Sequence, residues 1–151
     1  MSDPPDAAGA EEFLQEFIDD HGFLSFIDLT VEELEPGHLV MRIPYDRKLT
    51  NKGPGNGNVH GGIASTLIDT AGGLCIHSAL EEPLSSNVAT IDLNVSYLRP
   101  ARGDLVGTAE VVRVGGTVGV AEVSVESETP DGTVDEVAVG RGSFRIFRPE
   151  D

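Results

Sequence analysis

Between Val59 and Leu80 the chain carries one charged side chain, Asp69, although 24% of its residues overall are charged. A helix facing solvent would carry several. At about 100° per residue, Ile63, Ala64, Leu67, Ile68, Ala71, Leu74 and Cys75 gather into one apolar stripe, which predicts a buried helix packed on a sheet. The opposite side (Gly62, Ser65, Thr66, Asp69, Gly72, Gly73 and Ile76) offers small residues where Lys and Glu would be usual. Glycine is about 1 kcal/mol worse than alanine inside a helix, so the adjacent pair needs a compensating close approach, which we read as a partner backbone or a ligand.

The elements around this helix follow from local patterning. Phe13, Leu14, Phe17 and Ile18 recur at helical spacing after an acidic tail, and Gly22 marks a stop. Residues 1–10 read as a flexible tail and residues 11–151 as a single domain. From Phe23 to Ile43, two strand-like runs flank Pro36-Gly37, with Ile27, Leu29 and Val31 alternating before the turn and Leu39, Met41 and Ile43 after it. Residues 46–58 read as a loop. Val88–Leu98 alternates, placing Ala89, Ile91, Leu93, Val95 and Tyr97 on one face and Thr90, Asp92, Asn94 and Ser96 on the other. Strands at Leu105–Val114, Val118–Glu128 and Val134–Phe147 follow, separated by Gly115-Gly116 and Pro130-Asp131-Gly132. The order predicts an α+β fold in which an antiparallel sheet of about six strands covers one long helix.

Charge and composition bound the partners. The 151 residues suit one domain, and 26 acidic against 10 basic residues give a formal charge of −16. That field repels phosphodiester backbones and anionic lipid, so neither nucleic acid nor a membrane surface is expected. Lysine is confined to Lys48 and Lys52. So one-signed a surface fits a very salty cytoplasm, since at about 1 M salt the screening length falls to about 3 Å, with an ordinary acidic protein as the alternative. The lone Cys75 forms no internal disulfide and no cysteine-based zinc site, which suggests a reducing interior. The N-terminus has neither the basic patch nor the apolar run of a signal peptide, so the expected location is cytoplasmic.

Chemistry concentrates at the start of the helix. Asn58-Val59-His60-Gly61-Gly62 puts two glycines where a helix leaves backbone N–H groups without partners, and a ligand carbonyl can approach such amides closely. The arrangement suits an oxyanion hole. Read for themselves, the glycines are also compatible with a flexible turn, and Asp69 with a carboxylate paired in a subunit contact. Gly61 and Asp69 stand eight residues apart, about 12 Å along a helix axis, so one chain cannot bring both to one carbonyl. If both act, two chains contribute, and the sequence predicts a homodimer with composite sites. His21, His38 and His77 have no assigned role.

His-Gly-Gly followed by Ile-Ala-Ser-Thr-Leu-Ile-Asp, with the later strand Ile-Asp-Leu-Asn-Val-Ser-Tyr-Leu-Arg-Pro, resembles the hotdog-fold acyl-CoA thioesterases of the phenylacetic-acid-degradation (PaaI-like) type over residues 23–147. The resemblance implies a sheet wrapped around a long helix, edge-to-edge dimers that often assemble into tetramers, an acyl-CoA substrate and no separate cofactor or metal. It makes Asp69 the catalytic carboxylate, as general base or as nucleophile, with Gly61 supplying the polarising N–H and His60 shaping the turn. Thr90 matches a hydroxyl position that orients water or substrate. Many relatives carry Asn six residues before the histidine; that position is Pro54 here, and the nearest candidate is Asn51 in a loop longer by three residues. Gly62 and Ser65 fall beside the expected substrate site. The carboxylate must stay ionised for either role, and the hydroxyls of Ser65 and Thr66 are nearby candidates to stabilise it.

Coenzyme A is a polyanion, and five of the ten basic residues flank the motifs: Arg47, Lys48 and Lys52 before, Arg99 and Arg102 after. These are candidate phosphate contacts, with surface ion pairs to the abundant carboxylates as the alternative. A hydratase or dehydratase on the same fold is a competing reading, although the paired acid and histidine such enzymes use are not evident around Asp46 to His60. A non-catalytic acyl-CoA-binding protein is another.

Overall fold

A computed structural model describes residues 7–51 and 57–149. Helix α1 (Ala7–Asp19) and a short helix α2 (Gly22–Phe26) precede strands β1 (Thr30–Glu35) and β2 (His38–Ile43). A 3-10 turn at Arg47–Leu49 leads to the long helix α3 (Gly61–Ser78), and a second at Pro83–Ser85 leads to β3 (Asn87–Tyr97), β4 (Leu105–Val114), β5 (Val118–Glu128) and β6 (Val134–Phe147). All pairings are antiparallel, in the order β1-β2-β4-β5-β6-β3. The sheet wraps α3, which packs against β2 through β6, and α1 packs on β1. This is the hotdog arrangement. No helix among the described residues is long and apolar enough to cross a membrane.

The core lies between α3 and the concave face of the sheet. Ala64, Leu67, Ile68, Ala71 and Cys75 are buried from the helix side, facing Met41, Leu105, Ala109, Val123, Val125 and Ala138. Burial raises the Cys75 thiol to about 12, so it remains protonated. Several sheet positions under the helix are glycines whose missing side chains make room for helix side chains. A Cβ at Gly107 would sit 2.9 Å from Leu67, one at Gly119 2.9 Å from Ile76, and one at Gly140 2.8 Å from Ile68.

Several expectations need correction. The strand reading of Phe23–Leu29 fails: Gly22–Phe26 is helical, capped by the His21 side chain, and the strand begins at Thr30. Ile27 and Leu29 are buried all the same, so their alternation reflected burial in a connecting segment. Gly22 opens α2 where it was expected only to stop α1, and α1 begins at Ala7, inside the stretch read as a tail. Residues 1–6 of that tail lie outside the described residues. The presumed loop 46–58 contains the Arg47–Leu49 turn and a bridge between Thr50 and Val59.

The glycine pair in α3 has a different explanation from the one expected. Gly72 and Ile76 are buried within the protomer, and a Cβ at Gly72 or Gly73 would lie 3.1 or 3.2 Å from the Phe144 ring. Phe144 on β6 is 1% exposed, so an aromatic of the same chain, not a partner or a ligand, fills the space.

Candidate active site

The first turn of α3 is built by capping. His60 is the N-cap, and its Nδ1 accepts the Gly62 N–H at 2.8 Å. Because Nδ1 accepts, a neutral ring carries its proton on Nε2. The His60 backbone N–H donates to Leu49 O at 2.8 Å and the Val59 N–H to Ala101 O at 2.8 Å, tying the turn to the chain before it and to the segment after β3. The pair of free amides expected at Gly61-Gly62 is therefore reduced to one. The Gly61 N–H has no hydrogen-bond partner among the described residues, while that of Gly62 is occupied by His60.

Beside this turn lies a cavity of about 360 Å³ with Asn51, Asn58, His60, Gly61, Tyr97 and Arg99 among its walls and Ala64, Leu98, Leu105 and Val137 at its apolar side. Asn51 is therefore brought to the Gly61 turn, its N–H bonded to Asn58 O at 3.0 Å. Asn58 was not anticipated; its side chain accepts from Arg102 Nε at 2.8 Å and fixes that guanidinium near the cavity. Arg99 reaches the wall while donating to Glu136 O at 2.8 Å.

Of the remaining basic candidates, Arg47 and Lys48 are not among the residues of the cavity wall. Lys48 sits 4.5 Å over the Phe26 ring and 3.4 Å from the Asp28 carboxylate. Arg47 is exposed on the 3-10 turn and is not part of the cavity wall. Lys52 lies outside the described residues.

Asp69 stands further along α3, half-buried, and accepts a 2.6 Å hydrogen bond from Thr90 Oγ1. A β-bulge in β3 makes this contact possible. Thr90 pairs with Phe144 and Asp92 with Ser143, leaving Ile91 as the extra residue. Strict alternation put Thr90 on the face opposite Leu93, Val95 and Tyr97; the bulge turns it to the helix with them, and Ile91 is left 57% exposed. The hydroxyls of Ser65 and Thr66 do not reach the carboxylate. Thr66 Oγ1 donates to Gly62 O at 2.9 Å, and Ser65 Oγ lies 3.3 Å from Gly61 O.

Tyr97, expected only as a strand residue, meets the same turn: its hydroxyl donates to Gly61 O at 2.8 Å and contacts Ser65 Oγ. The only sequence signal for it was its place within the second motif. Asp69 is absent from the cavity wall that Gly61 and His60 form. Within the chain the free amide and the Thr90-bonded carboxylate lie in different places. Among the described residues no three His, Cys, Asp or Glu side chains converge as metal ligands.

The thioesterase superfamily profile matches residues 56–133. A Halobacterium salinarum protein bearing the name "Putative esterase" is 63% identical over 147 residues, spanning 96% of this chain and 97% of its own. The medium/long-chain acyl-CoA thioesterase YigI of Escherichia coli is 39% identical over 82 residues, 46% of this chain and 53% of YigI. The crystal structure of a thioesterase family protein from Silicibacter pomeroyi superposes with a TM-score of 0.81 at 28% identity, covering 89% of this chain and 96% of that one. With the profile spanning half the chain and the hotdog architecture around α3, this chain belongs to the thioesterase superfamily.

Proposed function

We propose that the chain is a PaaI-like acyl-CoA thioesterase that hydrolyses an acyl-CoA to the free acid and coenzyme A, working as a homodimer in the cytoplasm. One observation carries the reading: the free Gly61 amide lines a cavity from which the Thr90-bonded Asp69 of the same chain is absent. A second protomer supplies the missing carboxylate. The sheet ends in β1, on which α1 packs, and in β3, along which Ile91, Tyr97 and Leu98 expose apolar surface that suits edge-to-edge pairing of two sheets.

In this mechanism the Gly61 N–H of one protomer holds the thioester carbonyl oxygen, with His60 shaping the turn, while the partner's Asp69, oriented by Thr90, takes a proton from water as its oxygen attacks the carbonyl carbon. The tetrahedral oxyanion stays at the Gly61 amide, where a well-placed donor lowers the barrier by about 3 kcal/mol. Collapse breaks the C–S bond, the coenzyme A thiolate leaves and takes up the proton held by Asp69, and the carboxylic acid remains. Direct attack by Asp69 would instead form a mixed anhydride; single-turnover hydrolysis in heavy-oxygen water labels the aspartate only on that route. Asn51, Gly62 and Ser65 border the substrate, and Arg99 and Arg102 are the cations best placed for coenzyme A phosphates.

The test is thiol release from a panel of acyl-CoAs by wild type and Asp69→Asn, with oligomer mass measured for both. Hydrolysis by a wild-type dimer, lost in a still-dimeric Asp69→Asn, is the expected result. Retained turnover in that variant refutes the assignment. Enoyl-CoA hydration without thiol release would make the protein a hydratase, and binding without turnover a carrier or sensor.

A further inference from the structure

We infer that Tyr97 is a positioning residue that holds the Gly61 amide in place, a role that rests on the thioesterase reading above. The peptide planes on either side of the Gly61 Cα are restrained from different parts of the fold. On the N-terminal side, the peptide between His60 and Gly61, which carries the open N–H, has its carbonyl held by the Ile63 N–H at 2.9 Å. On the C-terminal side, the peptide between Gly61 and Gly62 is held at both ends: its N–H donates to His60 Nδ1 at 2.8 Å, and its carbonyl accepts from Tyr97 Oη at 2.8 Å.

Tyr97 is the member of this set that comes from β3. Its ring lies over Gly61 so closely that a Cβ there would be 3.1 Å from Cε1 and 3.2 Å from Cζ. Glycine at 61 therefore does two things: it leaves the amide open to a ligand, and it admits the ring that fixes the turn. Ser65 Oγ contacts the same hydroxyl. If Ser65 donates to Tyr97 and Tyr97 to Gly61 O, each hydroxyl proton has one acceptor, and the chain of bonds ends on the carbonyl next to the reactive amide.

Tyr97 also lines the cavity, so a loosened ring would disturb the wall against which substrate lies. The hydroxyl, however, points back into the protein's own backbone. It acts through Gly61, not on the substrate.

Tyr97→Phe separates these effects because it keeps the ring and removes only the hydroxyl. A net hydrogen bond at the upper end of the usual range corresponds to about a tenfold change in rate, so kcat is expected to fall about tenfold with KM within about twofold of wild type. The NMR order parameters of the Gly61 and Gly62 amides should drop from rigid values near ~0.85 toward ~0.6, with the rest of α3 unchanged. Wild-type kcat, or unchanged order parameters at both glycines, overturns the inference. The two readings fail separately. A wild type that releases no thiol from any acyl-CoA sinks the proposed reaction, while the order parameters still judge whether Tyr97 holds the turn.

Discussion

Replacing Thr90 by valine removes one hydroxyl and leaves a β-branched side chain suited to a strand. The lost interaction is the 2.6 Å hydrogen bond from Thr90 Oγ1 to Asp69 Oδ1. Hydrogen bonds to charged groups are worth about 1.5–3 kcal/mol, and the exposure of Thr90 in the protomer argues for the lower end. About 1.5 kcal/mol of transition-state orientation corresponds to roughly tenfold in rate. We therefore expect kcat/KM for acyl-CoA hydrolysis to fall about tenfold in Thr90→Val, with the folded structure retained, and to return to within about twofold in Thr90→Ser. Initial rates of thiol release measure both. Unchanged rates in Thr90→Val, beside an inactive Asp69→Asn, would show that the carboxylate needs no orienting hydroxyl and that the bulge at Ile91 serves another purpose.

Other regions of the molecule make separate predictions. His38 lies between Glu33 at 2.9 Å and Glu110 at 2.5 Å, and hydrogen bonds first to Glu33 and then to Glu110 raise its pKa above 6.5. A raised folded-state pKa stabilises fully below 6.5 and ceases to as pH climbs through the folded value; denaturant midpoints of His38→Gln should thus fall short of wild type at pH 6 and converge with it at alkaline pH. Gly72→Ala gains about 1 kcal/mol of helix propensity but sets a Cβ 3.1 Å from Phe144, whose ring already lies against the β6 backbone at Gly142. Overpacking of about 2 kcal/mol wins, and the melting midpoint should drop by about 3 °C in calorimetry. At a formal charge of −16, thermal stability should rise as potassium chloride is raised toward ~1 M, and a midpoint that falls over that range would remove the salty-cytoplasm reading.

Legibility followed the range of the interactions involved. Strands β4, β5 and β6 occupy the stretches read from alternation and hairpin punctuation, because both signals lie within a few residues of what they specify. Phe23–Phe26 was misread because a short apolar run suits a buried strand and a buried helical turn equally, and the His21 cap that decides it is a side-chain geometry. The Thr90 contact was invisible for another reason. Whether β3 carries an extra residue depends on its pairing with β6, which is remote in sequence. Likewise, Gly72-Gly73 announced missing side chains without saying what fills the gap.

The spacing of one motif along one helix was enough to keep the Gly61 amide and the Asp69 carboxylate apart, since the rise per residue is a covalent and hydrogen-bonding constant that no packing alters. The uncharged character of that helix was likewise enough to bury it. Which groups then touch the two candidate catalytic positions and fill the helix's gap was decided by long-range pairing: Thr90 turned inward at a bulge, Tyr97 laid over Gly61, Phe144 filling the space at Gly72 and Gly73. Those contacts join residues that are remote from one another in the sequence, and their geometry exists only once the sheet has closed around the helix.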